Sequence, residues 1–100
     1  MDQTDPNEPV RVHLWVTGRV QGVGFRAFVQ QCGDYYHLTG WVRNVGYDQV
    51  ETVAEGSRPS VEKFAQAVQA GPRASRVEAA RVEWESPTGE FSLFDVKYSL

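Results

Sequence analysis

The run Gly18-Arg19-Val20-Gln21-Gly22-Val23-Gly24-Phe25-Arg26 is the part of this 100-residue chain best suited to chemistry. Three glycines fall within the seven residues from Gly18 to Gly24. Glycine lets a backbone curl so that successive N–H groups face one point. The residues that follow carry a helical pattern, and a helix N-terminus adds unpaired N–H groups and the positive end of its dipole. Together these features make an anion site, for which phosphate is the usual occupant. Arg26 stands in the first helical turn, where a cation opposes the dipole by a few tenths of a kcal/mol up to about 1. A bound anion would offset that cost, and a planar guanidinium can grip two phosphate oxygens at once. Spacing alone leaves a plain glycine-rich connection open as the alternative. The run matches neither G-x-x-x-x-G-K-[ST] nor G-x-G-x-x-G, and it lacks the parallel βαβ setting of the latter.

Other chemically capable residues read as structural. Trp15 and Trp41 fall on one sheet face away from the helices, where aromatic rings can stack nucleic-acid bases. Local packing is the preferred reading for both. Arg43 reads as a surface or structural residue rather than a second phosphate ligand. His13 alternates onto the presumed exposed face, and Cys32 falls on an apolar helical stripe. Asp48 reads as a turn residue, because a carboxylate beside a phosphate would repel it. Tyr35 and Tyr36 read as helix-end packing.

The elements that must position these residues follow from periodicity. Val10, Val12, Leu14 and Val16 alternate with polar or amphipathic neighbours, the pattern of a half-buried strand. Phe25, Phe28, Val29, Cys32 and Tyr36 recur at three- and four-residue steps, one face of an amphipathic helix. Leu38 to Asn44 and Gln49 to Glu55 form a hairpin around a turn at Val45 to Asp48. Ser57 or Ser60 caps a second helix with Pro59 in its first turn, and Gly71-Pro72 ends it. Val77 to Glu85 is a fourth strand, with Ala80, Val82 and Trp84 on one side. Phe91 to Tyr98 adds a last strand. The order strand, helix, strand, strand, helix, strand is that of an α+β ferredoxin-like βαββαβ sandwich, an antiparallel sheet with two helices on one face. Residues 10–100 make one domain, preceded by a flexible tail at residues 1–9.

Composition narrows the partners. The formal net charge is −3, without the broad basic face of a nucleic-acid binder. No apolar run approaches the ~20 residues that span a bilayer. The polar start, with Asp2, Asp5 and Glu8, lacks the basic and apolar stretches of a signal peptide. A lone cysteine allows no internal disulfide, and two histidines are too few to suggest a metal cage. The expectation is a cytoplasmic monomer that binds neither nucleic acid nor membrane.

The Gly18–Arg26 run resembles the first signature of the acylphosphatases, and Gly40-Trp41-Val42-Arg43-Asn44 resembles their second. The similarity extends over about residues 10 to 98. It implies hydrolysis of carboxyl–phosphate anhydrides with no metal or organic cofactor. It further implies that Arg26 binds the substrate phosphate and that Asn44 positions the attacking water. The backbone N–H groups of Val20, Gln21, Gly22, Val23, Gly24 and Phe25 would wrap the phosphoryl oxygens. One departure stands out. The family continues past the asparagine with an Asp-Gly turn, where this chain has Val45-Gly46-Tyr47-Asp48-Gln49, so the setting of Asn44 rests with the hairpin. The competing readings are a noncatalytic phosphate-binding or regulatory module of the same fold and, less in keeping with the acidic balance, a single-strand RNA binder.

Overall fold

A computed structural model describes residues 7–97. Strand β1 spans Pro9–Arg19, helix α1 Phe25–Tyr35, β2 Thr39–Val45, β3 Gln49–Ser57, α2 Arg58–Ala70, β4 Arg76–Glu85 and β5 Phe94–Val96. The strands form one sheet in the order β4-β1-β3-β2-β5. Pro9 already belongs to β1, and the rest of the expected N-terminal tail, residues 1–6, lies outside the described residues.

The period-two pattern of β1 sends Val10, Val12, Leu14 and Val16 into the core and Arg11, His13, Trp15 and Thr17 to the other face. Phe25 and Val29 of α1 meet that core, as do Val61, Phe64, Ala65 and Val68 of α2, so both helices cover one face of the sheet. Burying a Val, Leu or Phe side chain contributes about 1.5–3 kcal/mol. Ser57 occupies the N-cap of α2 and Pro59 lies in its first turn, as expected, although the Ser57 hydroxyl bonds Ser60 Oγ rather than a helix amide.

The sheet differs from an all-antiparallel one at a single strand. β1, β3, β2 and β4 pair antiparallel, whereas β5 runs parallel to β2, with Gly40 opposite Phe94 and Val42 opposite Val96. β4 and β5 sit on opposite edges, so the chain between them must cross the sheet. It crosses the helix-free face, where the Thr88 and Gly89 amides donate to the two carboxylate oxygens of Glu55 at 2.9 and 3.0 Å. The Arg11 guanidinium also lies 5.4 Å from the Phe91 ring centre. This crossing uses residues expected to be strand, which is why β5 is three residues long; Tyr98 lies outside the described residues.

Ala80, Val82 and Trp84 do share a side, opposite Val16, Leu14 and Val12. They are nonetheless exposed, Trp84 by 47%, because β4 is an edge strand that the helices scarcely cover. Gly40 sits mid-strand at φ +151°, and a Cβ there would run into the Val53 carbonyl, so the second signature begins where the chain tolerates only glycine.

Candidate active site

The N-terminus of α1 is open. Its N-cap is Gly24, at φ 75° and ψ 21°, and no side chain caps it. Its first turn holds no acidic residue. The first helical hydrogen bond runs from the Phe28 amide to the Gly24 carbonyl at 3.0 Å, which leaves the amides of Phe25, Arg26 and Ala27 without intrahelical acceptors. Gly24 adopts the left-handed conformation that turns the loop into the helix, a conformation a side chain would strain.

An open cavity of about 310 Å³ faces this helix end. Val20, Gln21, Gly22, Gly24 and Phe25 line it, together with Arg26 and Asn44. The structure therefore gathers both side chains named from the sequence, and all but one of the loop residues, around one space. Val23 packs its side chain against the core instead. Val20 and Phe25 are themselves fully buried anchors that fix the loop to the core.

Strand periodicity explains the division of labour in β2. Val42 is buried among the helices, and Asn44, two residues on, stands on the same side of the sheet. Arg43, between them, points to the open face. There its Nε and Nη2 bond Glu51 Oε1 at 2.8 and 2.7 Å, and its guanidinium lies 5.0 Å from the Trp41 ring centre. The structural reading of Arg43 thus holds. Trp15 and Trp41 share that face, with the His13 ring stacked on Trp15 at 3.8 Å and edge-on to Trp41. Arg81 covers Trp15, and Lys97 covers Trp41 alongside Arg43. Both indoles are occupied by this packing.

The electrostatics of the two faces contrast. Among the described residues, the cavity lining carries one charged side chain, Arg26, and no carboxylate. The buried carboxylates, Glu51 and Glu55, lie on the far side of the sheet. Burial pushes both upward, but hydrogen bonds outweigh it and hold each below the ordinary carboxylate range: His13 and Arg43 for Glu51, the Thr88 and Gly89 amides for Glu55. Cys32 packs against the core, and burial raises its thiol above the ordinary range. Among the described residues, no group of three or more His, Cys, Asp or Glu is placed to hold a metal ion.

Several contributors were missed from the sequence. Gln30 lines the cavity one turn after Arg26, and the i, i+4 spacing would have found it. Val96 also lines it, and the Lys97 carbonyl accepts from Arg26 Nη1 at 3.3 Å. Some 70 residues separate these from the loop, and no local pattern signals the contact. The side chain of Gln21 reaches the β2–β3 turn, with Nε2 donating to the Gln49 carbonyl at 2.9 Å.

Comparison with known proteins agrees with this geometry. The acylphosphatase family model matches residues 12–96. An acylphosphatase of Chloroflexus aurantiacus is 42% identical over 87 residues, covering 87% of this chain and 95% of that protein. One from Trichormus variabilis is 46% identical over 88 residues, covering 88% and 87%. The crystal structure of acylphosphatase from Bacillus subtilis superposes with a TM-score of 0.84 at 37% identity, covering 89% of this chain and 99% of that one. An uncapped helix end beside Arg26, Asn44 on the facing strand, and a match running from β1 to β5 lead to one conclusion: this chain belongs to the acylphosphatase family.

Proposed function

We propose that the chain hydrolyses the carboxyl–phosphate anhydride bond of small acyl phosphates, giving a carboxylate and inorganic phosphate. The observation that carries this reading is the convergence of Arg26 and the unpaired α1 amides on a cavity that Asn44 also lines and that, among the described residues, no carboxylate enters. Arg26 and the backbone amides of Val20, Gln21, Gly22, Val23, Gly24 and Phe25 bind the phosphoryl oxygens. Their preorganised charge counts most as negative charge spreads in the transition state. Asn44 is too weak a base to take a proton, but its amide can orient a water in line with the bond to be broken. The water oxygen bonds to phosphorus, the phosphorus–oxygen bond to the acyl group breaks, and the carboxylate leaves with the electron pair. The water's proton passes to a phosphoryl oxygen, so no residue need act as general acid.

The fold supplies the groups this chemistry needs without a metal or organic cofactor. The same reading makes the protein a cytoplasmic monomer acting on a small molecule, with no nucleic-acid or membrane partner. The satisfied indoles on the open face support the absence of base stacking there. Among the described residues, no helix is long and apolar enough to cross a membrane.

Benzoyl phosphate tests the proposal. Purified chain in a chelator-containing buffer is expected to release benzoate and phosphate with saturation kinetics, inhibited competitively by inorganic phosphate. Phosphate binding by calorimetry without any turnover would replace the enzyme with a noncatalytic phosphate-binding module. Sedimentation velocity checks the monomer.

A further inference from the structure

Gln21 contributes more than a backbone amide. Its Nε2 lies 2.9 Å from the Gln49 carbonyl, 3.1 Å from that of Gly46 and 3.4 Å from that of Val45. These carbonyls belong to both limbs of the β2–β3 turn, Val45 and Gly46 entering it and Gln49 leaving. A primary amide has two hydrogens, enough for the two nearer oxygens, one on each limb. Two further links join the same parts. The Gly18 amide donates to the Asp48 carbonyl at 2.9 Å, and Gln49 Nε2 donates to Thr17 Oγ1 at 3.2 Å. Those two links involve residues of β1; among the described residues between β1 and α1, Gln21 is the one whose side chain bonds the turn.

The hairpin needs such support at this point. Among the described residues, β5 pairs with β2 no further than Val42, apart from the Lys97 amide that caps the Val42 carbonyl at 2.8 Å. Among the described residues, the sheet partners of Asn44 and Val45 are in β3. Asn44 immediately precedes the carbonyls that Gln21 gathers. We infer that Gln21 is a positioning residue: its side-chain amide clamps the Val45–Gln49 turn to the anion loop and so sets where Asn44 stands relative to the bound phosphoryl group. The clamp takes the place of a turn with a fixed Asp-Gly conformation. This inference rests on the hydrolytic reading above.

The experiment uses Gln21→Met, which keeps the length and removes the donor. For benzoyl phosphate, kcat is expected to fall about 10- to 100-fold, the scale of loss from a displacement near 1 Å. The competitive inhibition constant of inorganic phosphate should stay within about twofold of wild type, since the phosphate site is kept. The double variant Gln21→Met with Asn44→Ala should be no slower than Asn44→Ala alone, because one residue acts through the other. An inhibition constant that rises as kcat falls would make Gln21 a phosphate ligand and overturn the clamp. Additive losses, or an unchanged kcat, would also overturn it. Gln21→Asn, with the amide drawn back by one methylene, should be slow in the same way, and it serves if the Met variant does not fold. A second readout needs no activity. Exchange of the Gly18 amide, which donates into the turn, should accelerate in Gln21→Met, and unchanged protection would sink the clamp. If wild type leaves benzoyl phosphate intact, the hydrolytic reading fails, while amide exchange still decides whether the clamp exists.

Discussion

At the scale of single residues, the proposed mechanism assigns Arg26 and Asn44 different loads. Arg26 makes an exposed 3.3 Å contact with the Lys97 carbonyl, a neutral acceptor that a phosphate exceeds in charge and in geometric fit. Arg26→Ala is therefore expected to lower kcat/KM by about 10²- to 10³-fold, the usual loss for one transition-state donor. It should also abolish inhibition by millimolar phosphate. Arg26→Lys restores a point charge without the fork and should recover only part of the loss. Asn44→Ala is expected to lower kcat by about 10²-fold while the phosphate inhibition constant stays near wild type, since a misplaced water does not weaken phosphate binding. Steady-state kinetics with phosphate as inhibitor separates the two. Equal damage to phosphate binding in both variants would contradict the division of roles.

Among the elements, α1 is built for its N-terminus and closed at its C-terminus. Its start has no side-chain cap and no acidic residue in the first turn to offset the dipole. The other end is closed by backbone bonds. The Leu38 amide bonds the Gly33 carbonyl at 2.8 Å and the His37 amide bonds that of Asp34 at 3.1 Å, a Schellman closure. The left-handed position in such a closure is usually glycine, and here His37 occupies it at φ 58°. An L side chain at that conformation costs about 1–2 kcal/mol, partly offset by the entropy glycine adds to the unfolded chain. His37→Gly is accordingly expected to stabilise the protein by about 0.5–1 kcal/mol, read as a higher urea midpoint at constant m-value. A lower midpoint would show that the His37 side chain contributes more than its backbone costs. The sequence placed Tyr35 and Tyr36 at the helix end. It did not mark His37 as strained, because a left-handed histidine leaves no trace in apolar periodicity.

For the molecule as a whole, the sheet separates two electrostatic environments. The helix side ends in a cavity that no carboxylate of the described residues lines, and the open side buries Glu51 and Glu55 among Arg11, His13, Arg43 and the amides of the β4–β5 crossing. Both carboxylates titrate lower in the folded protein than in the unfolded chain, where the ordinary value is about 4.5. Below that value the unfolded chain binds more protons than the folded one, so stability falls as pH falls. Unfolding free energy should thus be nearly level across neutral pH and decline progressively below about pH 4.5, as these groups are protonated. In Glu51→Gln the acid decline should be shallower, though the variant is less stable at neutral pH for want of the His13 and Arg43 pairings. Urea titrations from pH 7 to about 3 check both expectations, and an equally steep decline in the variant would remove Glu51 from the account.

What the sequence determined by itself was local or periodic. Alternation placed Val12 and Leu14 inside and His13 and Trp15 outside, and three- and four-residue spacing oriented α1. The glycine run before Arg26 marked the anion loop, because backbone conformation depends on residues adjacent in the chain. With the Gly40–Asn44 signature, those patterns made the element order and both key side chains legible. What only the tertiary structure decided involves residues far apart in sequence or at an edge. The parallel β5 and its shortness follow from a crossing whose partners are Glu55 and Arg11. Trp84 is exposed because β4 happens to be outermost, although its pattern reads as half-buried. The setting of Asn44 rests on Gln21, more than 20 residues away. Loop closure brings such groups together through the summed packing of the core, and no short window of sequence records which carbonyl a distant amide will meet.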